Sequence, residues 1–311
     1  MTFEKIDWVS TTDVAMRFEE LRPYLRRVAY STLGTFAEAD DIVQEAWLRL
    51  QRVDADDIDN LRGWLTTVVG RLALDSLGSA RSRRETYVGS WLPEPDVTEW
   101  SDPSDRISQD ERVTMALLVI LETLSPAERT AFVLGDVFGM SSAEVAEVVG
   151  RTPAAVRQLA SRARRHVENG SPRFPATSAD HARAVDAFTV AWRAGDLDAL
   201  LTVLSPDVTF TADGGGKVVA VPKPLVGADA VTSFLTRVAA VALRKRDESV
   251  RGEQVAVNGQ PGLAIHDGTN LSVYAFTVES GRITAVDVIR NPDKLRHVQL
   301  SDRATADWFR S

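Results

Sequence analysis

The chain has 311 residues, 44% of them hydrophobic, and a net charge of −8 at neutral pH; this length predicts two or three domains, and the acidic balance excludes a protein that coats nucleic acid by bulk attraction. The sequence has no cysteine, which excludes disulfides and thiolate metal sites, and its four scattered histidines have no metal-ligand spacing, so no metal or other cofactor is expected. An acidic N-terminus and the lack of an apolar run long enough to cross a bilayer predict a cytoplasmic protein without a membrane partner.

Helical periodicity runs through the N-terminal third and predicts an all-helical domain over residues 1–88. Its second helix, Glu38 to Arg52, begins with acidic side chains that favour the positive end of the helix dipole. A third helix, Leu61 to Leu77, leads into a cluster of arginines. Trp47 and Trp64 lie on the apolar faces of these helices, so we expect both in the core rather than as stacking platforms for bases.

Residues 89–112 are rich in proline and acidic side chains and are predicted to link two domains. The stretch Trp91 to Pro95, WLPEP, contains a tryptophan that a simple spacer would not need. We therefore interpret WLPEP as a docking element with a rigid, extended backbone. A tryptophan folded back on the neighbouring helix is the alternative that the sequence leaves open.

The most informative stretch is Leu124 to Val167, whose pattern of two helices, a tight turn and a basic helix predicts a helix-turn-helix domain over residues 113–170. Ser125 and Glu128 are spaced as a capping box, and Gly150 suits the left-handed end of the second helix. The last helix has one apolar side; on its other side, arginine and glutamine fit base edges and further arginines suit phosphates. A solvated basic helix that closes a small bundle is the alternative. The candidate DNA-binding residues here are Thr152, Arg157, Gln158, Ser161, Arg162, Arg164 and Arg165.

The motifs ADDIVQEAWLRL and LRGWLTTVVGRLALDSL, the arginine cluster and the helix-turn-helix together resemble the two-domain extracytoplasmic-function sigma factors of bacterial RNA polymerase, over about residues 13–170. The resemblance implies that the chain binds the core polymerase, at the β′ clamp helices and the β flap, and directs it to promoter DNA. Asp41, Gln44 and Glu45 fall on the motif that docks against the clamp helices, where they would meet arginines in charge-assisted hydrogen bonds. Ordinary solvation of an acidic helix is the alternative for these three residues.

The same resemblance assigns the helix-turn-helix to the −35 element and the segment from Arg62 to Arg84 to the element near −10, where strands separate and a flipped base needs a pocket. In many relatives an asparagine precedes the run of leucine, alanine, a hydrophobic residue and aspartate, whereas this chain has an arginine there. The base preferred at −10 therefore does not follow from the resemblance. The candidate residues for this element are Arg62, Arg71, Arg81, Arg83 and Arg84.

A different organisation begins at about Ser178, after glycine and prolines that end the preceding helix. Amphipathic helices and strand-like segments, with hairpin signals at Asn258-Gly259 and Asp267-Gly268, predict an α+β domain with a curved antiparallel sheet over residues 178–311. The helices are predicted at Ala182–Ala194, Leu197–Leu204 and Ala228–Ala242, and the strands at Val208–Ala212, Val218–Val221, Glu253–Val257, Leu263–His266, Leu271–Val278 and Ile283–Ile289.

The segment AFTVAWRAGDLDALLTVLSPDVTFTADGGGK resembles the SnoaL-like and ketosteroid-isomerase-like cone fold, over most of residues 178–295. The fold class implied for the chain is multidomain: two all-α sigma domains, the second a helix-turn-helix, followed by an α+β cone-shaped SnoaL-like domain. Cone-fold enzymes place a carboxylate base and phenol or acid donors in the cavity, and Asp213, Asp287 and Tyr274 are loose candidates. No acid–base pair is evident, so the chain is not expected to be an enzyme.

The stretch Asp213 to Lys217, DGGGK, lacks the spacing of known phosphate-binding loops, so a hairpin turn is preferred over a phosphate cradle. Together with WLPEP and with NPDKL at Asn291 to Leu295, it resembles a subgroup of the same sigma factors that carries a fused cone domain. That resemblance implies regulation of the sigma regions in cis, positive or negative, with DGGGK near the linker. The implied regulatory contacts are Trp91, Leu92, Pro93, Glu94, Pro95, Asp213, Gly214, Gly215, Gly216, Lys217, Asn291, Pro292, Asp293, Lys294 and Leu295.

Two contacts between the linker and the cone domain are expected from residue types. Lys217 is a candidate partner of Glu94 or Asp96, in an exposed ion pair worth about 0.2 to 1 kcal/mol. Apolar docking of Trp91 is expected to contribute more.

We thus expect a promoter-specificity subunit whose free form is held compact by the cone domain and opens on joining the core enzyme. Three alternatives remain: a cone-fold enzyme tethered to a DNA-binding module, a sensor whose cavity binds a small molecule, and a helix-turn-helix repressor. The motif ADDIVQEAW opposes the repressor, which would not need it. The promoter, the inducing signal, any cavity ligand and the oligomeric state do not follow from the sequence.

Overall fold

A computed structural model describes residues 8–54, 57–85, 87–100, 113–170, 176–244, 250–302, 304–306 and 308–309. The chain divides into two compact units: the helical unit, Met1–Ser82 with Glu122–His166, and the sheet unit, Arg83–Leu121 with Val167–Ser311. No helix in the described ranges is long and apolar enough to cross a membrane. The helices are α1 (Trp8–Leu33), α2 (Phe36–Leu50), α3 (Leu61–Glu85), α4 (Met115–Leu121), α5 (Pro126–Phe132), α6 (Ser142–Val149), α7 (Pro153–Gly170), α8 (Ser178–Ala194), α9 (Leu197–Val203) and α10 (Ala228–Arg244).

Helices α1, α2 and α3 bury the apolar stripes that their periodicity predicts. Phe18 on α1 is fully buried, and its ring lies 4.9 Å from the ring of Trp47 on α2. Trp47 and Trp64 are each half-buried, so both belong to the edge of this core rather than to its centre. The fully buried side chains include Leu25, Val28, Leu33, Val43, Ala46, Leu50, Leu65, Val69 and Ala73.

Within the helical unit, α3 packs directly on the helix-turn-helix segment. A Cβ atom added at Gly70 of α3 would lie 2.9 Å from Leu134 Cδ1 and 3.0 Å from Val148 Cγ1 on α6. The ring of Tyr24 on α1 also meets that of Phe138 edge to face, at 5.8 Å between centroids. The N-terminal helices and the helix-turn-helix therefore share one core.

Capping residues begin and end the helices of the helix-turn-helix as predicted. Ser125 forms a capping box with Glu128 before α5, and Ser141 forms a second box with Glu144 before α6. Gly150 ends α6 in the left-handed conformation, with φ of 66°. A five-residue π-helical turn continues α5 at Val133–Val137, which the sequence analysis did not predict.

The sheet unit is built on one mixed sheet. The strands are β1 (Val97–Glu99), β2 (Leu204–Asp213), β3 (Leu225–Val226), β4 (Val250–Val257), β5 (Gln260–Asp267), β6 (Leu271–Glu279), β7 (Arg282–Ile289) and β8 (Thr305–Ala306). Their order in the sheet is β1-β4-β5-β6-β7-β2-β3, and β8 pairs with β4. All pairs are antiparallel except β2 with β7, which is parallel, so the prediction of an antiparallel sheet was wrong at this pair.

The strand predicted at Val218–Val221 is absent. Residues 215–217 form a turn instead, and the N–H of Val218 donates to the carbonyl of Gly214, so this backbone closes the turn rather than joining a ladder. The short strand β3 follows it and pairs with β2. At Asn258 and Gly259, φ values of 50° and 79° form the predicted hairpin turn between β4 and β5.

The two faces of the sheet bury different partners, because successive side chains of a strand alternate. On β6, Tyr274 and Phe276 face α8, α9 and α10 on the inner face. Val273 and Ala275 face a second core on the outer face, formed with Leu92 of the linker, α4 and the segment after β7. Part of the linker and α4 therefore belong to the sheet unit and cover its outer face.

Candidate functional site

The residues expected to bind the core polymerase lie on one outward face of α2. Asp41 and Gln44 are exposed, and Glu45 is half-exposed and accepts a 3.1 Å hydrogen bond from Arg49 Nε one turn later. The opposite face of α2 buries Ile42 and Ala46. Because the core needs only that buried face, the acidic face is available to a partner.

The arginines expected near the −10 element lie along α3. Arg62 is exposed, with its guanidinium carbon 4.0 Å from the ring centroid of Tyr24. Arg71 donates from Nε and Nη2 to the carbonyl of Glu147 on α6, at 3.2 and 3.1 Å. The predicted −10 residue Arg71 is therefore engaged with the helix-turn-helix inside the helical unit. Arg81, Arg83 and Arg84 fall in the last turns of α3, and their side chains lie outside the described residues.

Helix α7 has the amphipathic form expected of a recognition helix. Thr152 accepts a hydrogen bond from the N–H of Ala155 at 3.2 Å and so caps the helix. Arg157 and Gln158 are exposed on its outward face, while Ser161 is half-buried and lies 3.5 Å from Arg165 Nη2. Its inward face buries Val156, Leu159, Ala160 and Ala163.

Two arginines of α7 are held by acidic side chains of the same segment. Arg162 Nε donates to Glu128 Oε1 at 2.7 Å, and Arg164 Nε donates to Asp136 Oδ1 at 2.6 Å. Hydrogen bonds from Ser125 and then from Arg162 lower the pKa of Glu128. Arg162 and Arg164 are more than half exposed, whereas Glu128 and Asp136 are only 20% and 25% exposed, so the guanidinium groups are accessible to a further anionic partner.

A buried charge lies in this segment that was not predicted from the sequence. Arg129 on α5 is 1% exposed and forms an ion pair with Glu122. Burial lowers its pKa to about 9, and its Nε and Nη2 have no hydrogen-bond partner among the described residues. A signal was available in the sequence. Arg129 lies beside Ala131 and Phe132, which are buried in the same helix, so its position indicated a buried charge.

The motifs WLPEP, DGGGK and NPDKL meet on the sheet unit in a cluster that we call the linker clasp, formed by Tyr87, Leu92, Asp213, Asn291 and Lys294. Asp213 accepts hydrogen bonds from Tyr87 Oη at 2.6 Å, the N–H of Leu92 at 3.0 Å and Lys294 Nζ at 2.7 Å. Lys294 Nζ also donates to the carbonyl of Leu92, and Asn291 Nδ2 donates to Tyr87 Oη at 2.8 Å. The cone domain thus binds the linker through both backbone groups of Leu92.

The linker clasp is buried, and its two charged side chains, Lys294 and Asp213, compensate each other. Asp213 is 0% and Lys294 7% exposed. Burial, followed by the hydrogen bond to Asp213, raises the pKa of Tyr87, so its hydroxyl stays protonated and donates. Such a buried pair is stabilised only while each partner is present, because removal of one leaves an uncompensated charge.

The glycines of DGGGK permit the close approach of this turn to NPDKL. Gly215 has φ of 61°, and a Cβ there would lie 2.3 Å from Asn291 Nδ2. At Gly214 a Cβ would lie 2.1 Å from the carbonyl oxygen of Val218. Neither position admits a larger residue without movement of the turn.

One predicted contact of the linker was wrong, and a second involves a different type of contact. Lys217 pairs with Asp293 of NPDKL rather than with Glu94 or Asp96, because both partners lie on adjacent exposed loops of the cone domain. Trp91 does dock on the cone domain, but as a half-buried ring 4.0 Å from Lys294 Nζ. The buried apolar contact of the linker is made by Leu92, which is 2% exposed.

The remainder of the linker continues the contact through residues that the sequence analysis did not select. His297 lies 3.0 Å from the carbonyl of Pro95 and 3.4 Å from Glu94, whose hydrogen bond raises the pKa of His297. Asn258 accepts from the N–H of Asp96 at 3.1 Å. Strand β1 then extends the sheet beside β4. Pro93 is buried within this stretch, while Gly216, Pro292 and Leu295 flank the clasp.

The three loose catalytic candidates do not form one site. Asp213 belongs to the linker clasp, while Tyr274 faces the inner side of the sheet. Asp287 lies on the outer side of β7, where burial raises its pKa to about 7. The structure therefore does not bring these three candidates together in one cavity.

Comparison with known proteins gives a consistent result over nearly the whole chain. Residues 17–83 match the family Sigma-70 region 2, residues 114–167 match Sigma-70, region 4, and residues 184–294 match the SnoaL-like domain. The chain is 43% identical over 299 residues to the ECF RNA polymerase sigma factor SigJ of Mycobacterium tuberculosis, covering 92% of this chain and 94% of that protein. It is 38% identical to the probable ECF RNA polymerase sigma factor SigI of the same species, covering 88% and 92%.

A solved structure supports the same similarity. The crystal structure of the Mycobacterium tuberculosis extracytoplasmic function sigma factor SigJ superposes with a TM-score of 0.74 at 39% identity. The match covers 92% of this chain and all of that one.

Proposed function

This chain belongs to the extracytoplasmic-function sigma factors of RNA polymerase, which act in transcription initiation, and we propose that its SnoaL-like domain regulates this activity in cis by holding the linker between sigma regions 2 and 4. The observation that carries the proposal is the linker clasp, in which a buried ion pair of the SnoaL-like domain binds the linker backbone. The domain boundaries 1–88, 89–112, 113–170 and 178–311 are part of this proposal.

The clasp would act by limiting the reach of the linker. Residues 87–99 and α4 both pack within the sheet unit, so these parts of the connection between α3 and α5 are not free to extend. A tethered linker spans a shorter distance than a free one. Release of the clasp lengthens the connection between regions 2 and 4. Both regions can then reach their separate promoter elements at the same time.

The packing of the helical unit supports a closed free form. Arg71, proposed to contact the −10 element, is bonded to Glu147 of region 4, and Gly70 packs on Val148. In this state the two regions share a core instead of reading separate elements. DNA affinity is then reduced by the fraction of open molecules, and the core enzyme restores it by binding the open form.

We propose one partner for each exposed face of the sigma regions. The exposed face with Asp41, Gln44 and Glu45 binds the β′ clamp helices, and region 4 binds the β flap. Helix α7 reads the −35 element through its exposed face, with Arg157 and Gln158 at base edges and the remaining arginines at phosphates.

The rival function, an enzyme of the cone family tethered to a DNA-binding module, has less support. Its carboxylate candidates, Asp213 and Asp287, lie away from Tyr274, and Asp213 is committed to the linker. Regulation explains the position of Asp213, whereas catalysis does not.

Reconstituted transcription with core polymerase tests the assignment. The full-length chain is added to core enzyme on genomic DNA of its host, and transcript 5′ ends are sequenced. We expect promoter-dependent transcripts that are lost when Gln44 and Glu45 are replaced by Ala, with the same loss in co-elution with core. The control variant Glu20→Ala, at an exposed acid of α1, should keep both activities. Absence of any promoter-dependent transcript would refute the assignment.

Binding of the free chain to those promoters tests regulation. Lys294→Ala opens the clasp and should increase DNA binding in the absence of core, whereas Lys217→Ala, which removes only an exposed pair, should not. Equal DNA binding by wild type and Lys294→Ala would argue against restraint by the clasp.

A further inference from the structure

The inner face of the sheet encloses a cavity of about 650 Å³ that the sigma function does not use. This volume lies within the range of pockets that hold small molecules. Its walls are mostly apolar and contributed by the sheet, α8, α10 and the C-terminal segment. The aromatic side chains that line it are Trp192, Phe210, Phe234, Tyr274 and Phe309.

One polar group inside this cavity has no partner. Tyr274 is 8% exposed, and its hydroxyl makes no hydrogen bond to any described residue, although its oxygen is not sealed within the core. Burial raises the pKa of this phenol to about 12, so it remains a neutral donor at neutral pH. A donor that opens into a cavity and makes no hydrogen bond within the described protein is available to a ligand or to water.

The charged groups of the cavity lie at its rim and neutralise each other. Arg290 Nη2 pairs with Asp267 at 2.9 Å, and the same guanidinium donates to Ser272 Oγ at 3.0 Å and to the carbonyl of Val219 at 2.6 Å. A charged ligand would therefore find no unpaired opposite charge among the described lining residues. Burial of an uncompensated charge in such a site is strongly unfavourable.

The cavity and the linker clasp share the ends of two strands. On β2, Ala212 lines the cavity and the next residue, Asp213, holds the linker. At the end of β7, Arg290 lies at the rim, its N–H donates to the carbonyl of Asp213 at 2.7 Å, and Asn291 follows in the clasp. The residues after DGGGK, Val219 to Val221, return to the cavity wall.

We propose that this cavity binds a neutral, largely apolar small molecule with one hydrogen-bonding group, received by the Tyr274 hydroxyl, and that its occupancy tightens the linker clasp. The coupling rests on the proposed regulatory function, whereas the binding does not. A ligand that contacts Ala212 and Val219 to Val221 orders the same segments that hold the linker, and binding to the ordered form favours it.

Binding is tested on the full-length chain with the neutral fluorophore N-phenyl-1-naphthylamine, displaced by 1-decanol, decanoate or decylammonium. We expect saturable fluorophore binding and displacement by decanol at concentrations at least about tenfold lower than by either ion. Tyr274→Phe should weaken decanol about fivefold and leave the fluorophore unchanged. Val238→Trp, which fills the cavity, should abolish binding, whereas Val190→Trp, on an exposed position of α8, should not.

Failure of saturable binding, or equal binding by Val238→Trp and Val190→Trp, would overturn the site, and preference for either ion would overturn the ligand class. Coupling is measured by hydrogen exchange at the amide of Leu92, which donates to Asp213. Saturating decanol should slow this exchange severalfold; unchanged or faster exchange with decanol bound would overturn the coupling. Lys294→Ala without ligand reports on the proposed function separately, because it should speed exchange at Leu92 whether or not the cavity binds anything.

Discussion

The ion pairs of helix α7 and the ion pair of the linker clasp differ in how far their side chains are exposed to solvent. The pairs Arg162–Glu128 and Arg164–Asp136 are formed by arginines that are more than half exposed, whereas the side chains of Lys294 and Asp213 are only 9% and 0% exposed. Exposed pairs are worth about 0–1 kcal/mol, and breaking a buried pair from one side costs about 3–5 kcal/mol. If α7 faces DNA as proposed, its exposed arginines can therefore exchange carboxylates for phosphates at a smaller cost than the clasp pays to release the linker.

The largest effect is expected at the buried pair. Lys294→Ala leaves the Asp213 carboxylate buried without its cation, so it should lower the free energy of unfolding of the sheet unit by about 3–5 kcal/mol, or detach the linker. Urea denaturation monitored by circular dichroism measures this loss. Lys217→Ala is the matched control, with an expected loss below about 1 kcal/mol. Equal losses in the two variants would contradict the contrast between buried and exposed pairs.

Asp287 sharpens the comparison, because it is a buried carboxylate for which the structure describes no cation partner. Burial raises the pKa of Asp287 to about 7, so the folded protein holds the proton of this carboxyl more tightly than the unfolded chain does. The stability linked to this proton is fully present below the unfolded pKa near 4 and is lost as the pH rises through the folded pKa of about 7. Asp287→Asn should therefore stabilise the protein relative to wild type at pH 8, by up to about 4 kcal/mol, and much less at pH 5. Thermal melts at the two pH values measure the difference; a gain that does not grow with pH would refute this account.

A smaller effect is expected from the turn that closes the clasp. Gly215→Ala places a Cβ 2.3 Å from Asn291 Nδ2 at positive φ, whereas Gly281→Ala, also at positive φ, meets open space. The left-handed conformation alone costs about 1–2 kcal/mol, so Gly281→Ala should lose that amount and Gly215→Ala clearly more. Urea midpoints compare the two variants. If Gly215→Ala proved no worse than Gly281→Ala, the close contact with Asn291 would not constrain the clasp.

The smallest effect on stability is expected on α7. Arg162→Ala should change the free energy of unfolding by less than about 1 kcal/mol, because Arg162 is 58% exposed and Glu128 keeps its capping-box bonds to Ser125. Its effect should appear on DNA instead, as about 1–3 kcal/mol of discrimination at one base if it reads a base edge, or as uniform weakening if it contacts phosphate. A matrix of promoter mutants separates these two outcomes, and binding that is unchanged on every promoter would remove Arg162 from the interface.

The helix-turn-helix was predictable from the sequence to a greater extent than the linker clasp, because its contacts are local. The capping box at Ser125, the glycine end of α6 and the buried face of α7 depend on residues a few positions apart, so their spacing was sufficient. In the clasp, by contrast, Tyr87 and Asp213 are 126 residues apart in the sequence, and Leu92 and Lys294 are 202 residues apart. The motifs indicated that these segments meet, but not that Leu92 is the anchor or that Lys217 pairs within the cone domain. Those choices depend on the parallel pairing of β2 with β7, which aligns two strand ends and leaves no local pattern.

The central claim, that the cone domain holds the linker until the core enzyme joins, is tested most directly by hydrogen exchange at the Leu92 amide in the full-length chain, free and bound to core polymerase. The account predicts slow exchange in the free protein and, on core binding, a rate close to that of free Lys294→Ala. Protection that stays at the free level in a complex that initiates transcription would contradict it.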